Sequence, residues 1–161
     1  MNAEEIHSRL QARFGDAVTP LDVSSHDPWI GVDPEHIDAV TAHCKNDPDL
    51  DFKSLMSLSG VDNGENIKVV YHLFSFTKRH RIVLKVTVSK AAAVTQSVTS
   101  VWRGANWFER ECYDLFGVRF EGHPDLRRLL LPDDWEGWPL RKEYVFPAEY
   151  GGVDNRRDYS V

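Results

Sequence analysis

The stretch that most restricts this chain is Ile67 to Val88, where two alternating runs flank the short segment "TKRH". Ile67, Val69, Tyr71 and Leu73 alternate with Lys68, Val70, His72 and Phe74, and Ile82, Leu84, Val86 and Val88 alternate with Val83, Lys85 and Thr87. A period of two places each set on one face of a pleated strand, and a one-residue slip would turn the whole apolar set toward water. "DFKSLMSLSGV", ending at the turn-rich "DNGEN", reads as a third strand. Three antiparallel strands joined by short turns leave one face that must be covered.

The cover is available upstream. Ala3, Ile6, Leu10 and Phe14 stand at helical spacing with Gly15 as a stop, which predicts an amphipathic first helix over residues 3–14. "DPWIGV" reads as a short extended piece leading to Asp33, an acceptable N-cap, with Pro34 at the first helical position and Ile37, Val40 and Cys44 along one face. That second helix should end near Asn46. Downstream, "SKAAAVTQSVTSVW" reads as helical, and Asn106 with Glu109 fits a capping box opening a last helix that stops at Gly117. Pro124, Pro132, Pro139 and Pro147 then exclude any long helix. The expected class is α/β of the α+β kind: a small, mostly antiparallel sheet covered by helices on one face, with an extended irregular C-terminal segment. The expected division is a globular domain over residues 1–121 and a docking segment over residues 122–161.

Composition narrows the function. With 161 residues, 42% hydrophobic and 27% charged, the chain has the make-up of one globular domain with a real core. A net charge of -6 argues against nucleic acid, whose phosphates call for an excess of Lys and Arg on one face. No apolar run is long enough to cross a bilayer, and "MNAEEIHSRL" has acids where a signal peptide has a basic stretch, so the expected location is the cytosol unless a partner holds the chain at a membrane. Cys44 and Cys112 are the only cysteines, too few for a four-thiolate cluster, and both lie in helical stretches where buried structural thiols are common.

Catalytic signatures are missing. The glycines of "SGVDNG" and "YGGVD" do not follow a phosphate-cradling order, and no two of the seven His have the spacing of a zinc-protease helix. His123 in "EGHPDLRR" reads as a loop His hydrogen-bonded to backbone, with proton handling as the alternative. Glu111 and Asp114, three apart, share a helix face; they either form an acid–base pair or meet Arg119, Arg127, Arg128 and Arg141 and fix an otherwise irregular segment. A self-standing enzyme would use Glu111, Asp114 and His123 and would turn over alone.

Trp102, Trp107, Trp135 and Trp138, four of the five Trp, fall between residues 102 and 138. Trp and Arg are enriched where a partner buries a surface, and a Pro-rich extended chain loses little entropy on docking. In "DDWEGWPLRKEY", Pro132 and Pro139 keep the chain extended, Gly137 permits a sharp bend, and Asp134, Trp135, Trp138, Leu140, Arg141 and Lys142 offer contacts.

The run from Ala105 to Tyr144 closely resembles the signature region of the thirty-kilodalton subunit of the proton-pumping NADH–quinone oxidoreductase, respiratory complex I, a subunit designated C in bacteria and J in chloroplasts. The residues that carry the resemblance are Glu109, Arg110, Glu111, Asp114, Leu115, Phe116, His123, Arg127, Leu129 and Leu130. "SGVD" and the "YHLFSF" strand match more loosely, and Trp138 stands where many members have His. The resemblance implies a non-catalytic subunit on the cytoplasmic side of the cell inner membrane, peripheral and attached only through its complex. It implies subunits D and B as partners, no cofactor in this chain, and FMN, iron–sulfur clusters and quinone in the partner subunits. The alternative parent is a membrane-bound [NiFe] hydrogenase or formate hydrogenlyase, whose homologous component has a similar domain.

Overall fold

A computed structural model of the chain describes residues 1–155; residues 156–161, the end of the expected docking segment, lie outside the described residues. Three helices and eight strands follow in the order α1 (Ala3–Phe14), β1 (Trp29–Gly31), α2 (Ile37–Asn46), β2 (Ser54–Asp62), β3 (Asn66–Ser75), β4 (His80–Ser89), β5 (Val94–Gln96), α3 (Ala105–Phe116), β6 (Arg119–Glu121), β7 (Glu149–Tyr150) and β8 (Val153–Asp154). The main sheet has the order β1-β4-β3-β2.

β2, β3 and β4 are antiparallel, as the short turns between them require, with Tyr71 opposite Leu84 and Val69 opposite Val86. Their inward set, Ile67, Val69, Tyr71, Leu73, Ile82, Leu84 and Val86, shares one core with Ile6 and Leu10 of α1, Val40 and Cys44 of α2, and Cys112 and Phe116 of α3. The "DPWIGV" piece becomes a fourth strand, β1, which pairs in parallel with β4 through Ile30 and Leu84. The sheet is therefore mixed. On its other face Trp29 lies beneath two ammonium groups, Lys85 at 4.0 Å and Lys68 at 5.6 Å from the ring centroid, so the charges cover the indole.

Local chemistry sets the helix ends. Asn2 accepts the Glu5 N–H at 2.8 Å while the Glu5 carboxylate accepts the Asn2 N–H at 3.1 Å, a capping box that fixes the start of α1. Asp33 does accept the Glu35 N–H, but residues 34–36 form a turn and α2 proper begins at Ile37. α3 ends at Gly117, whose φ of 71° is the left-handed conformation of a helix stop.

Two expectations are corrected. "SKAAAVTQSVTSVW" is not a helix: a single 3-10 turn at Lys90–Ala92 leads into β5, which pairs in parallel with β6. Val94, Thr95, Val98 and Thr99 are β-branched and favour an extended chain once β6 supplies a ladder. Nor do Asn106 and Glu109 form a capping box. α3 starts after Gly104 with no side-chain cap, and Glu109 turns inward and is fully buried.

After residue 122 the chain folds back along the domain. The Leu140 N–H donates to the Leu115 carbonyl at 3.1 Å and the Lys142 N–H to Asp62 Oδ2 at 2.8 Å, so the chain is fastened to α3 and to the end of β2. Beyond Glu143 it continues into the small β7–β8 hairpin.

Candidate docking surface and its anchor

The C-terminal segment is held by the inward and C-terminal side of α3. Asp114 lies at the centre and is fully buried. Its Oδ2 accepts three successive backbone N–H groups, from Leu129, Leu130 and Leu131 at 3.0, 2.7 and 2.9 Å, and its Oδ1 accepts Arg128 Nη1 at 2.8 Å. Burial works to raise this carboxyl, but the bonds from Leu131, Arg128, Leu130 and Leu129 together outweigh it and hold it below the ordinary carboxylate value. One side chain thus shapes a loop that has no ladder of its own.

Arginines complete the anchor. Arg110 donates from Nε to the Arg127 carbonyl at 3.2 Å and from Nη2 to the Arg128 carbonyl at 2.9 Å. Arg128 also donates from Nη2 to the carbonyls of Trp135 at 2.7 Å and Gly137 at 3.2 Å, and its guanidinium lies 4.8 Å from the Trp138 ring centroid. Arg141 donates from Nε to the Phe116 carbonyl at 2.7 Å and from Nη1 to the Lys90 carbonyl at 3.3 Å. The Phe116 carbonyl is one of those that the end of a helix leaves without an intrahelical donor, and a cation there is favoured by the helix dipole as well.

Trp138 packs edge-on to Tyr113 at 5.3 Å and lies flush against Gly117, where an added Cβ would stand 2.5 Å from the indole. Gly117→Ala therefore meets both a left-handed φ and an occupied space. The variant is expected to lose about 1–3 kcal/mol, with a red shift in tryptophan emission as Trp138 is displaced; unchanged emission would show that the ring does not need this seat. Gly137, with φ of 80°, makes the bend between the tryptophans, against the Tyr144 ring.

At the far end Asp62 accepts Lys90 Nζ at 2.7 Å, and the same ammonium meets Glu143 Oε2 at 2.5 Å. Burial works to raise Asp62, yet Lys90 and the N–H groups of Lys142 and Gly64 hold its carboxyl well below the usual range. Asp62 and Lys90 were invisible as partners in the sequence, since "GVDNGEN" reads only as a turn and Lys90 stands 28 positions away.

Of the four arginines expected to meet the α3 acids, Arg128 alone does so. Arg127 pairs with Asp125 at 2.8 Å and Arg119 with Glu121 at 3.6 Å, while Arg141 binds carbonyls. Pro132 accepts the Trp135 N–H, Asp134 accepts the Tyr150 hydroxyl at 2.8 Å, and Trp135 packs on Tyr150 with its Nε1–H buried and unpartnered. Pro139 and Leu140 complete the strap, with the Leu140 side chain half exposed. His123 accepts the Asp125 N–H on Nδ1 at 3.0 Å and contacts the Asn106 carbonyl through Nε2, and burial is the main force pulling its pKa down. Glu111 is exposed and Asp114 is sealed, and among the described residues no hydrogen bond or ion pair joins Glu111, Asp114 and His123.

Glu109 is the remaining buried acid. Its oxygens accept Ser97 Oγ and the Val98 N–H, each at 2.7 Å. Burial raises its pKa to about 7 against those two bonds. Cys44 is likewise pushed up to about 12 by burial, and Cys112 higher still, as for thiols buried in a core. Among the described residues no three His, Cys, Asp or Glu side chains gather to hold an ion, and no helix is long and apolar enough to cross a membrane.

Beside the exposed charges Asp133, Asp134, Glu136, Lys142 and Glu149, the segment leaves five apolar side chains at least half open to solvent: Leu130, Leu140, Val145, Phe146 and Val153. Comparison with known proteins finds relatives over most of the chain. The family described as respiratory-chain NADH dehydrogenase, 30 Kd subunit, matches residues 30–150. The NADH-quinone oxidoreductase subunit designated C in Roseiflexus castenholzii (strain DSM 13941 / HLO8) is 46% identical over 145 residues, which cover 88% of this chain and 83% of that one. A solved trypsin-resistant fragment of Nqo5 superimposes with a TM-score of 0.64 at 31% identity, covering 78% of this chain and all of the fragment. A chain of a membrane-bound sulfane sulfur reductase, described as an archaeal respiratory membrane complex, has the same fold, with a TM-score of 0.71 at 23% identity over 90% of this chain and 86% of that one.

Proposed function

This chain belongs to the family of the respiratory-chain NADH dehydrogenase 30 Kd subunit, and from that membership we propose that it is a non-catalytic subunit in the peripheral arm of a proton-translocating NADH–quinone oxidoreductase. Its work is to help assemble the quinone-reducing module, in which electrons from NADH pass through iron–sulfur clusters to quinone. The FMN, clusters and quinone belong to partner subunits, with subunits D and B as the direct neighbours, at the cytoplasmic face of the inner membrane. The chain reaches the membrane only through that complex.

The observation that carries the reading is the division of labour in the C-terminal segment. Arg128, Arg141 and the main-chain N–H groups of Leu129, Leu130, Leu131 and Lys142 are spent inward, on Asp114, Asp62 and the end of α3, while Leu130, Leu140, Val145, Phe146 and Val153 stand exposed among charged neighbours such as Asp133, Glu136 and Glu149. Such an anchored strap, with exposed apolar side chains set among charges, suits a partner contact, since little further ordering is needed to bind.

Truncation after Glu143 tests it. Because the fastening contacts of Trp138, Arg141 and Lys142 stay, the shortened chain should keep its melting temperature, yet fail to capture its proposed D neighbour in a pull-down. Capture at full yield would overturn the docking role. Co-purification from native membranes separates the parent complexes: NADH-oxidising and quinone-reducing subunits are expected, and a hydrogenase large subunit in their place would reassign the chain.

A further inference from the structure

β2 is the outermost strand of the main sheet, and among the described residues no backbone hydrogen bond leaves its outer side. The open run has two ends. The register shift between Leu55 and Ser57 puts the exposed Met56 in a bulge at one end, and Asp62, tied to Lys90 and Lys142, closes the other. Between them Ser57 to Val61 offer about 17 Å of edge, the length of a short strand. Edges that must stay single are usually blunted by lysine or proline. Here the five residues are Ser, Leu, Ser, Gly and Val, with neither.

Beside this edge lies a cleft of about 160 Å³ between β2 and α3, walled by Leu58, Gly60, Cys112, Leu115, Phe116 and Leu140. It is apolar except for Ser59 and for Glu111, which is exposed and makes no ion pair among the described residues. The three features select one kind of occupant. Free ladder groups call for an extended backbone, the cleft for an aliphatic side chain, and Glu111 for a cation. A second copy of β2 does not qualify, because "SLMSLSGVD" contains no Lys or Arg and would bring Glu111 no counter-charge.

We infer that the outer edge of β2 is a second docking site, which takes an extended segment of a partner subunit as a fifth strand, seats one aliphatic side chain in the cleft and sets a lysine or arginine against Glu111. The ladder supplies affinity and the cleft with its acid supplies selectivity. The inference rests on the reading of the chain as an assembly subunit, but not on the C-terminal strap being the contact.

Hydrogen exchange read by mass spectrometry, on the isolated chain and on the complex purified from native membranes, tests both surfaces at once. Amides in residues 57–61 are expected to exchange at least tenfold more slowly in the complex. Equal rates there overturn the β2 site even if residues 144–155 are protected; protection of 57–61 alone keeps it and removes the strap. Protection of 57–61 in an isolated chain that runs as a dimer would make the occupant a second copy and overturn the inference. Glu111→Lys should lower the yield of co-purified complex severalfold without moving the melting temperature of the isolated chain, and Glu111→Gln should fall between. Full yield with Glu111→Lys removes the charge requirement and with it the proposed occupant.

Discussion

Replacing Asp114 with Ala is expected to destabilise the fold by about 3–5 kcal/mol, a large share of the 5–15 kcal/mol typical of a domain. The substitution removes the single acceptor of three neighbouring N–H groups and leaves the Arg128 guanidinium, only 13% exposed at its side chain, without a carboxylate. Both losses fall on the same loop, and Arg128 also holds the Trp135 and Gly137 carbonyls, so residues 128–137 should come away together while residues 138–143 stay fastened to Phe116 and Asp62. Urea denaturation measures the energy, and limited trypsin digestion reads the release as faster cutting after Arg127 and Arg128. Asp114→Asn keeps a carbonyl acceptor and should lose less. A loss below about 1 kcal/mol for Asp114→Ala would mean that the loop is organised by its side chains instead.

The second large effect is a pH dependence that runs opposite to the common one. Glu109 is buried without a cation, and its folded pKa of about 7 stands above the ordinary 4.5. For a raised carboxyl the folded state holds the proton longer than the unfolded state does. The contribution is therefore complete below pH 4.5 and is lost as pH rises toward 7, by roughly 3 kcal/mol. Asp62 and Asp114 have lowered values, so their contributions are present above 3.8 and lost as pH falls. Stability should peak in mildly acid solution. Glu109→Gln, neutral at every pH, should flatten the decline and leave the variant more stable than the parent at pH 8. Denaturation midpoints that match for the parent at pH 5 and pH 8 would show that Glu109 is ionised when folded.

These two acids also show where sequence reasoning reached and where it stopped. Residues 67–88 were legible because alternation is a local property and the turn between the strands is short. α1 was legible from its apolar spacing, and its capping box, Asn2 with Glu5, has the same spacing that misled at Asn106 and Glu109. The pattern cannot tell whether a glutamate turns back to the helix start or into a core; that depends on Ser97 and Val98, which come from another part of the chain. Parallel pairing was harder still. β1 with β4, and β5 with β6, join segments with no hairpin between them, so nothing in either segment names its partner. Trp138, Arg141 and Lys142 read in the sequence as contacts for a partner, not as the fastenings to their own domain that they also make, and the sequence set Asp114 among several arginines. The structure gives it one arginine and three amides, because a buried carboxylate is better satisfied by fixed N–H dipoles around it than by flexible cations that stay hydrated.

The grip of Asp114 has a consequence for variation. It holds Leu129, Leu130 and Leu131 by their main chain, so it is blind to what those side chains are. Proline is the one residue it must refuse, for want of an N–H. Leu130, 62% exposed, is thus free of any duty to its own fold. Its identity is left to be chosen by the surface that meets it, and exchanging it should retune partner preference while the domain beneath stays as it was.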